Sequence, residues 1–120
     1  MTAQVRTIVL HESANETAGG NSDDTPEIPS DGPSVMYLDI TAVGGTAPVL
    51  DIDIEVRDPI SGEYIVLVAI PQKNATGFTR FTDALLDELR DAIYRIVWTI
   101  GGTASPNFTF SLAWVLKDRG

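Results

Sequence analysis

The residue types that perform catalysis or bind metals are few in this sequence. There is one histidine, His11, and there is no cysteine. No serine occupies the centre of a Gly-x-Ser-x-Gly nucleophile elbow, so a Ser-His-Asp triad would have to use His11, which lies beside an acidic, polar segment. We expect His11 to be a surface residue instead. The sequence therefore predicts no catalytic residue, no cofactor and a protein that is not an enzyme.

One row of carboxylates has a regular spacing. Asp51, Asp53 and Glu55 alternate with apolar residues in the segment VLDIDIEV, residues 49–56. Two catalytic carboxylates need different environments that separate their pKa values, whereas alternation with leucine and isoleucine is typical of a strand with one face in water. We interpret the row as a solvated face. A weak calcium site formed by these oxygens is the alternative.

The composition limits the classes of protein to consider. A chain of 120 residues, 43% of them hydrophobic, is expected to form one folded domain. Seventeen acidic and eight basic residues give a formal charge of −9, which opposes contact with the phosphates of nucleic acid. No apolar run is long enough to span a membrane, and the first residues lack the apolar core of a secretory signal. Without cysteines, stability must come from the core or from partner subunits.

Alternating and apolar segments predict a mainly β protein. The predicted strands cover residues 4–11, 35–43, 49–56, 64–70, 93–100 and 107–116, with a short strand near Phe78. Residues 82–92 change to helical spacing, with Thr82 as a possible N-cap. The apolar residues at that spacing are Phe81, Leu85, Leu86, Leu89 and Ile93. About seven strands and one short helix indicate an antiparallel β-sandwich or small barrel.

Turn residues separate several of these strands. Asp58, Pro59 and Gly62 predict a hairpin turn before residues 64–70. Because residues 64–70 are apolar on both faces, we expect a central strand or one covered by a partner. A second kind of turn occurs twice, as GGTAP in residues 44–48 and as GGTASP in residues 101–106. We expect the later copy, Gly101 to Pro106, to connect the two strands of a final hairpin.

An acidic segment follows the first strand. Residues 12–31 contain six acids and no base, among small polar residues. Such a segment buries too little apolar surface to offset its ordering entropy, so we predict a solvated loop or flexible arm. An arm that becomes ordered against a neighbouring subunit is the alternative. The chain therefore divides into an N-terminal strand with an acidic arm, residues 1–33, and a β-sandwich core, residues 34–120.

Large and outward-facing side chains supply candidates for protein contacts. The first strand places Val5, Thr7 and Val9 on one face and Arg6, Ile8 and Leu10 on the other. Spacing on the later strands assigns five aromatic residues to the core: Tyr94, Trp98, Phe108, Phe110 and Trp114. Any of these that faced outward would be an interface residue. The candidate interface residues are Val5, Thr7, Val9, Tyr64, Trp98 and Trp114.

Two blocks of this sequence together resemble a known family. The first block, LDITAVGGTAPVLDIDIEVRDPISGEY, covers Leu38 to Tyr64, and the second, RIVWTIGGTASPNFTFSL, covers Arg95 to Leu112. The DP-x-SG turn and the GGT-x-SP-x-F-x-F ending are moderately specific in combination. They are similar to small virion structural proteins of tailed bacteriophages, the head decoration or minor capsid protein family. The segment LRDAIYRI before the second block and the acidic insertion depart from that family's pattern.

The resemblance implies a role in a virus particle. It implies a β-sandwich that binds the assembled head, with the major capsid protein as partner and itself as a homo-oligomer, a trimer being favoured. Its location would be the capsid surface of the virion, after synthesis in the host cytoplasm. No nucleic acid or membrane is expected as a partner. A tail or head-tail connector subunit is the alternative in the same class, and a carbohydrate-binding β-sandwich module is the alternative in another class.

Overall fold

The computed structural model describes residues 4–26, 30–88 and 92–118. This part of the chain forms six antiparallel strands and one short helix. The elements are β1 (Gln4–Glu16), β2 (Gly20–Asn21), β3 (Ser30–Arg57), β4 (Tyr64–Lys73), β5 (Gly77–Phe81), α1 (Ala84–Glu88) and β6 (Tyr94–Asp118). The strand order is β1-β6-β3-β4, with β2 also paired to β6 and β5 also paired to β3. The predicted mainly β class is confirmed.

Two long strands, β3 and β6, carry the fold. They contain 28 and 25 residues, and they pair from Ser30 opposite Asp118 to Val56 opposite Tyr94. Both strands bend at one corner, residues 44–48 of β3 and residues 101–107 of β6, where the register shifts. Strands that pass from one layer to another through bulges and bends form the corners of orthogonally packed sheets. The corner therefore divides one hydrogen-bonded sheet into two layers.

The two layers pack face to face. The first layer contains β1, β5, the beginning of β3 and the end of β6; the second contains β2, β4, the end of β3 and the beginning of β6. Tyr94 of the second layer meets Trp114 of the first edge-on, with ring centroids 4.9 Å apart, and Trp98 meets Phe110 at 5.8 Å. The five aromatic residues assigned to the core are all buried. The structure is therefore sandwich-like.

The doubled turn has another role than the one predicted from sequence. Residues 101–106 do not connect a hairpin, because β6 continues through them from Tyr94 to Asp118. The two turn segments instead lie opposite each other, with Thr46 paired to Thr103 and Gly44 to Asn107. Neighbouring strands that bend at the same place need the same kinds of residue there. This shared bend explains why the sequence contains similar turns twice.

Three other local predictions can be compared with the structure. The hairpin between β3 and β4 is confirmed, and Asp58 organises its turn by accepting hydrogen bonds from the amides of Ile60 at 2.8 Å and Ser61 at 3.4 Å. The short strand near Phe78 is confirmed as β5. Strand β4 is not central. It is an edge strand in the described residues, with Ile65 64% and Val66 50% exposed.

The predicted helix is shorter than expected. In the described residues it covers only Ala84–Glu88, and residues 89–91, including Leu89, lie outside the described part. The capping residue is Asp83 and not Thr82, because the Asp83 carboxylate accepts a hydrogen bond from the amide of Leu85 at 2.9 Å. Leu86 is buried, whereas Leu85 is 44% exposed. Of these two leucines at helical spacing, only Leu86 packs into the core.

The acidic segment is not a flexible arm over residues 12–26. Strand β1 continues to Glu16, and β2 pairs with β6. Beyond β2, the amide of Ser22 donates to the Ile96 carbonyl while its hydroxyl accepts from the Ile96 amide, both at 2.9 Å. In the same way, the amide of Thr25 donates to the Tyr94 carbonyl and its hydroxyl accepts from the Tyr94 amide. Short polar side chains thus replace the missing ladder partners; residues 27–29 lie outside the described residues.

His11 is buried, so its prediction as a surface residue was wrong. Its ring stacks on Phe110 with centroids 4.0 Å apart and meets Trp98 edge-on at 4.8 Å. Its Nδ1 lies 2.9 Å from the Phe110 carbonyl, and its Nε2 lies 2.8 Å from a Glu16 carboxylate oxygen. Both neighbouring oxygens can accept a hydrogen bond from the ring. The side chain therefore connects the middle of β1 with the end of the same strand and with β6.

Two substitutions at the corner test its backbone conformation. Gly45 has φ +96°, and a Cβ there would lie 2.6 Å from the Pro106 Cα, whereas Ala47 already occupies the left-handed region at φ 49°. We expect Gly45→Ala to lower the free energy of unfolding by about 2 kcal/mol or more, and Ala47→Gly to raise it slightly or leave it unchanged. Denaturant unfolding measures both. Equal losses for the two variants would contradict this account of the corner.

Tyr94 gives a prediction about alkaline stability. Within the described part of the chain its hydroxyl is buried without a hydrogen-bond partner, and burial raises the pKa of Tyr94 to about 12. An unfolded tyrosine ionises near pH 10, so stability is full below about pH 10 and falls as the pH rises toward 12. We expect Tyr94→Phe to lessen that fall and to be neutral or stabilising at pH 7. A large loss of stability at pH 7, measured by denaturant unfolding, would contradict it.

Candidate interaction face

One outer face of the sandwich is almost without charge. In the first layer, residues next to the buried positions point outward, and the ladder register aligns them in rows across four strands. We call this surface the neutral face. Its residues are Val5, Thr7, Val9, Val35, Tyr37, Asp39, Phe78, Arg80, Ser111, Ala113 and Val115. Among these residues one aspartate and one arginine cancel in formal charge, and the register adds Lys117 opposite Val5 at the end of the face, on a chain whose net charge is −9.

The neutral face exposes large apolar side chains. Val5 is 72% exposed, Val9 57% and Phe78 65%. Thr7 is also exposed and lies between the two valines on β1, so these three predicted interface candidates share one surface. The outer edge of β1 has no strand beside it within the described residues. Contiguous apolar surface beside an unpaired strand edge is typical of protein contact sites.

Four residues at the β3 and β5 side of this face form a compact group that sequence reasoning missed. Tyr37 lies opposite Arg80, and Asp39 lies opposite Phe78. The rings of Tyr37 and Phe78 stack along one diagonal, with centroids 5.8 Å apart. Asp39 and Arg80 occupy the other diagonal, and neither forms an ion pair among the described residues. The alternation of β3 would have placed Tyr37 and Asp39 outward, but not beside β5.

The other outer face is acidic and already engaged in contacts within the chain. Asp51 accepts hydrogen bonds from the Gln72 amide at 3.0 and 3.1 Å. Glu55 forms an ion pair with Arg95 at 2.9 Å. In the row Asp51, Asp53 and Glu55, each residue lies about 7 Å along the strand from the next. The three carboxylates are therefore too spread out for their oxygens to surround one ion. Among the described residues, no cluster of three possible metal ligands exists.

The remaining interface candidates lie elsewhere. Tyr64 is half-buried on the acidic side, where its hydroxyl donates to Asp24 at 2.5 Å and its ring lies 3.5 Å below the Arg95 guanidinium. The hydrogen bond to Asp24 raises the pKa of Tyr64. Trp98 and Trp114 are only 7% and 1% exposed. Both tryptophans are therefore core residues and do not supply a contact surface.

A second exposed apolar cluster lies at the tip of the β3–β4 hairpin. Ile60 is 95% exposed in the turn, and Ile65 and Val66 follow at the start of β4. No helix in the described ranges is both long and apolar enough to cross a membrane. Among the described residues, the large exposed apolar side chains thus lie on the neutral face and at this hairpin tip, apart from Leu85 on the short helix.

Comparison with known proteins identifies the fold. No protein-family model matches the chain, and no curated protein matches its sequence. Among solved structures, it is similar to VP2 of infectious bursal disease virus in its subviral particle, with TM-score 0.61 and 14% identity over 98% of this chain. The structure of the Gx strain of that virus gives TM-score 0.57 and 11% identity over the whole chain. The SPBc2 prophage-derived protein YomS gives 0.49 and 9% identity over 98% of this chain and 96% of its own.

The lengths of these proteins differ. This chain spans about a third of the two viral chains, 33% and 34% of their lengths. At such low identity, the likeness concerns the path of the backbone and not the surface residues. The chain therefore has a β-sandwich fold that also occurs within a protein of a virus particle.

Proposed function

We propose that this protein is a non-enzymatic structural component of a virion, and that it binds the assembled head of a tailed virus as a decoration protein. The observation that carries the proposal is the neutral face, an exposed apolar surface on an otherwise acidic sandwich. The fold supports the proposal, because a similar sandwich occurs in a subviral particle. The two sequence blocks that resemble tailed-phage structural proteins support it independently.

Strand β1 is the part of the neutral face that suits attachment to the capsid. Its outward side chains, Val5, Thr7 and Val9, are exposed, and its unpaired edge can accept a further strand. The partner is the major capsid protein, and the location is the capsid surface after synthesis in the host cytoplasm. Copies of the chain associate with one another as well, and the family resemblance favours a trimer.

The physical effect of such a protein is stabilisation of the assembled shell. A protein that binds the lattice but not free subunits stabilises the assembled state. The stabilising free energy grows with the logarithm of the protein's concentration divided by its dissociation constant. Each contact can be weak, because copies attached at many lattice points act together. This mechanism needs surface complementarity and no chemical step, which agrees with the absence of a catalytic constellation in the sequence.

The edges of the sheet support a second candidate in the same class. Strands β1 and β4 end the ladder order on opposite sides, and both lack an outer neighbour among the described residues. Edge-to-edge pairing of β4 with the next copy's β1 would form the ring expected of a tail or connector subunit. Antibody labelling of virions separates the candidates, because signal along the tail supports the ring and signal over the head supports decoration.

The carbohydrate-binding alternative loses its sequence basis. It required the two tryptophans to face outward in a row, and both lie in the core. The rings that the described surface does expose, chiefly Phe78, belong to the neutral face.

A matched pair of threonine substitutions tests the decoration proposal. Thr7 is exposed on the neutral face, and Thr99 is exposed on the acidic face opposite Asp51. We expect Thr7→Lys to weaken binding to shells assembled from the major capsid protein of the same genome by about tenfold or more, because a lysine would be desolvated there. Thr99→Lys adds the same charge outside the neutral face and should bind like the parent chain.

Co-sedimentation with the shells measures both variants. Free capsid subunits serve as the control for binding that depends on the lattice. Equal binding by the two lysine variants would remove the neutral face from the proposal. Absence of binding by the unmodified chain to shells would overturn the decoration role itself.

A further inference from the structure

We infer that the neutral face also holds a contact between two copies of this chain, centred on Tyr37, Asp39, Phe78 and Arg80. The inference goes beyond the virion role, because it concerns the isolated protein. It depends on the arrangement of these four side chains, which alternate between aromatic and charged around a small rectangle. Strands β3 and β5 provide its two long sides.

The pattern of the four residues is self-complementary. Residues opposite each other on paired strands lie about 5 Å apart, and alternate residues of one strand about 7 Å apart. A two-fold axis in the plane of the face, along the Tyr37–Phe78 diagonal, brings Asp39 of each copy within side-chain reach of Arg80 of the other. One axis therefore creates two reciprocal ion pairs. The aromatic pair lies on the axis and stacks against its own symmetry mate.

The charges of the chain favour a second copy as the occupant. Within the described residues neither Asp39 nor Arg80 has an ion-pair partner. The rest of the molecule is strongly acidic, so two copies repel each other in most orientations. Approach through the neutral face keeps the acidic faces of the two copies apart, and it pairs Asp39 of each copy with Arg80 of the other. Aromatic residues and arginine are also the types enriched at the centres of interfaces.

The size of the face predicts the strength of the contact. Four strands spaced about 4.8 Å apart and four rows of residues give roughly 500 Å² per copy. Stable complexes usually bury about 800 Å² per partner. The dimer should therefore be weak in dilute solution and form at high micromolar concentration, or where copies are held close together.

Charge reversal at Asp39 and Arg80 tests the two ion pairs directly. Asp39→Arg places arginines at both ends of each pair, and Arg80→Asp places aspartates there, so each variant alone should be monomeric. An equal mixture of the two variants restores both attractions and should form heterodimers. The double variant Asp39→Arg/Arg80→Asp should dimerise with itself. Asp53→Arg, on the acidic face of the same strand β3, is the matched control and should behave like the parent chain.

Sedimentation equilibrium at high micromolar concentration gives the dissociation constants. We expect each single reversal to raise the dissociation constant of the dimer at least about tenfold, and the dissociation constant in the mixture to be near the parent value. Restoration by mixing also excludes misfolding, because two misfolded variants cannot repair each other. A parent chain that stays monomeric, a trimeric mass, or a mixture without rescue would overturn the inference. Loss of capsid binding in the single reversals without any self-association would overturn it in favour of the capsid protein as occupant.

Discussion

The antiparallel ladder between β3 and β6 is the interaction on which the rest of the structure depends. It joins residues 30–56 to residues 94–118, and it passes through both layers. Every other strand attaches to one of these two, and the core side chains of the two layers meet only because both strands bend at the same corner. The bend requires left-handed backbone at Gly45 and Gly102, and it holds Ala47, Ala104 and Ser105 there as well.

Hydrogen bonds from short side chains complete the sheet where strands are missing. Ser22 and Thr25 use a hydroxyl and an amide each to satisfy the backbone of β6, in the position that a longer β2 would occupy. His11 performs a similar function at the bulges of β1, where the regular pairing with β6 shifts. A chain without disulfides thus secures its N-terminal segment through polar contacts that each cost little side-chain entropy.

The two outer faces of the sandwich differ in a way that bears on function. The acidic face satisfies its own charges through Gln72 and Arg95 and is suited to water. The neutral face carries exposed valines, an aromatic pair and two charged groups without partners in the described residues. Such asymmetry orients a small protein on an assembly, because one face can lose its water at low cost while the other keeps the complex soluble.

The local features of this protein follow from short stretches of its sequence. Alternation at Leu50, Ile52 and Ile54 fixed which side of β3 is buried, and Asp58 with Gly62 fixed the hairpin turn, because both depend only on near neighbours along the chain. Three other features arise only when the chain folds: the two GGT turns lie opposite each other, His11 is buried, and Phe78 and Arg80 lie beside Tyr37 and Asp39. These features come from pairings between residues 39 to 99 positions apart. Local pattern does not encode such register, which is set by the packing of the whole core.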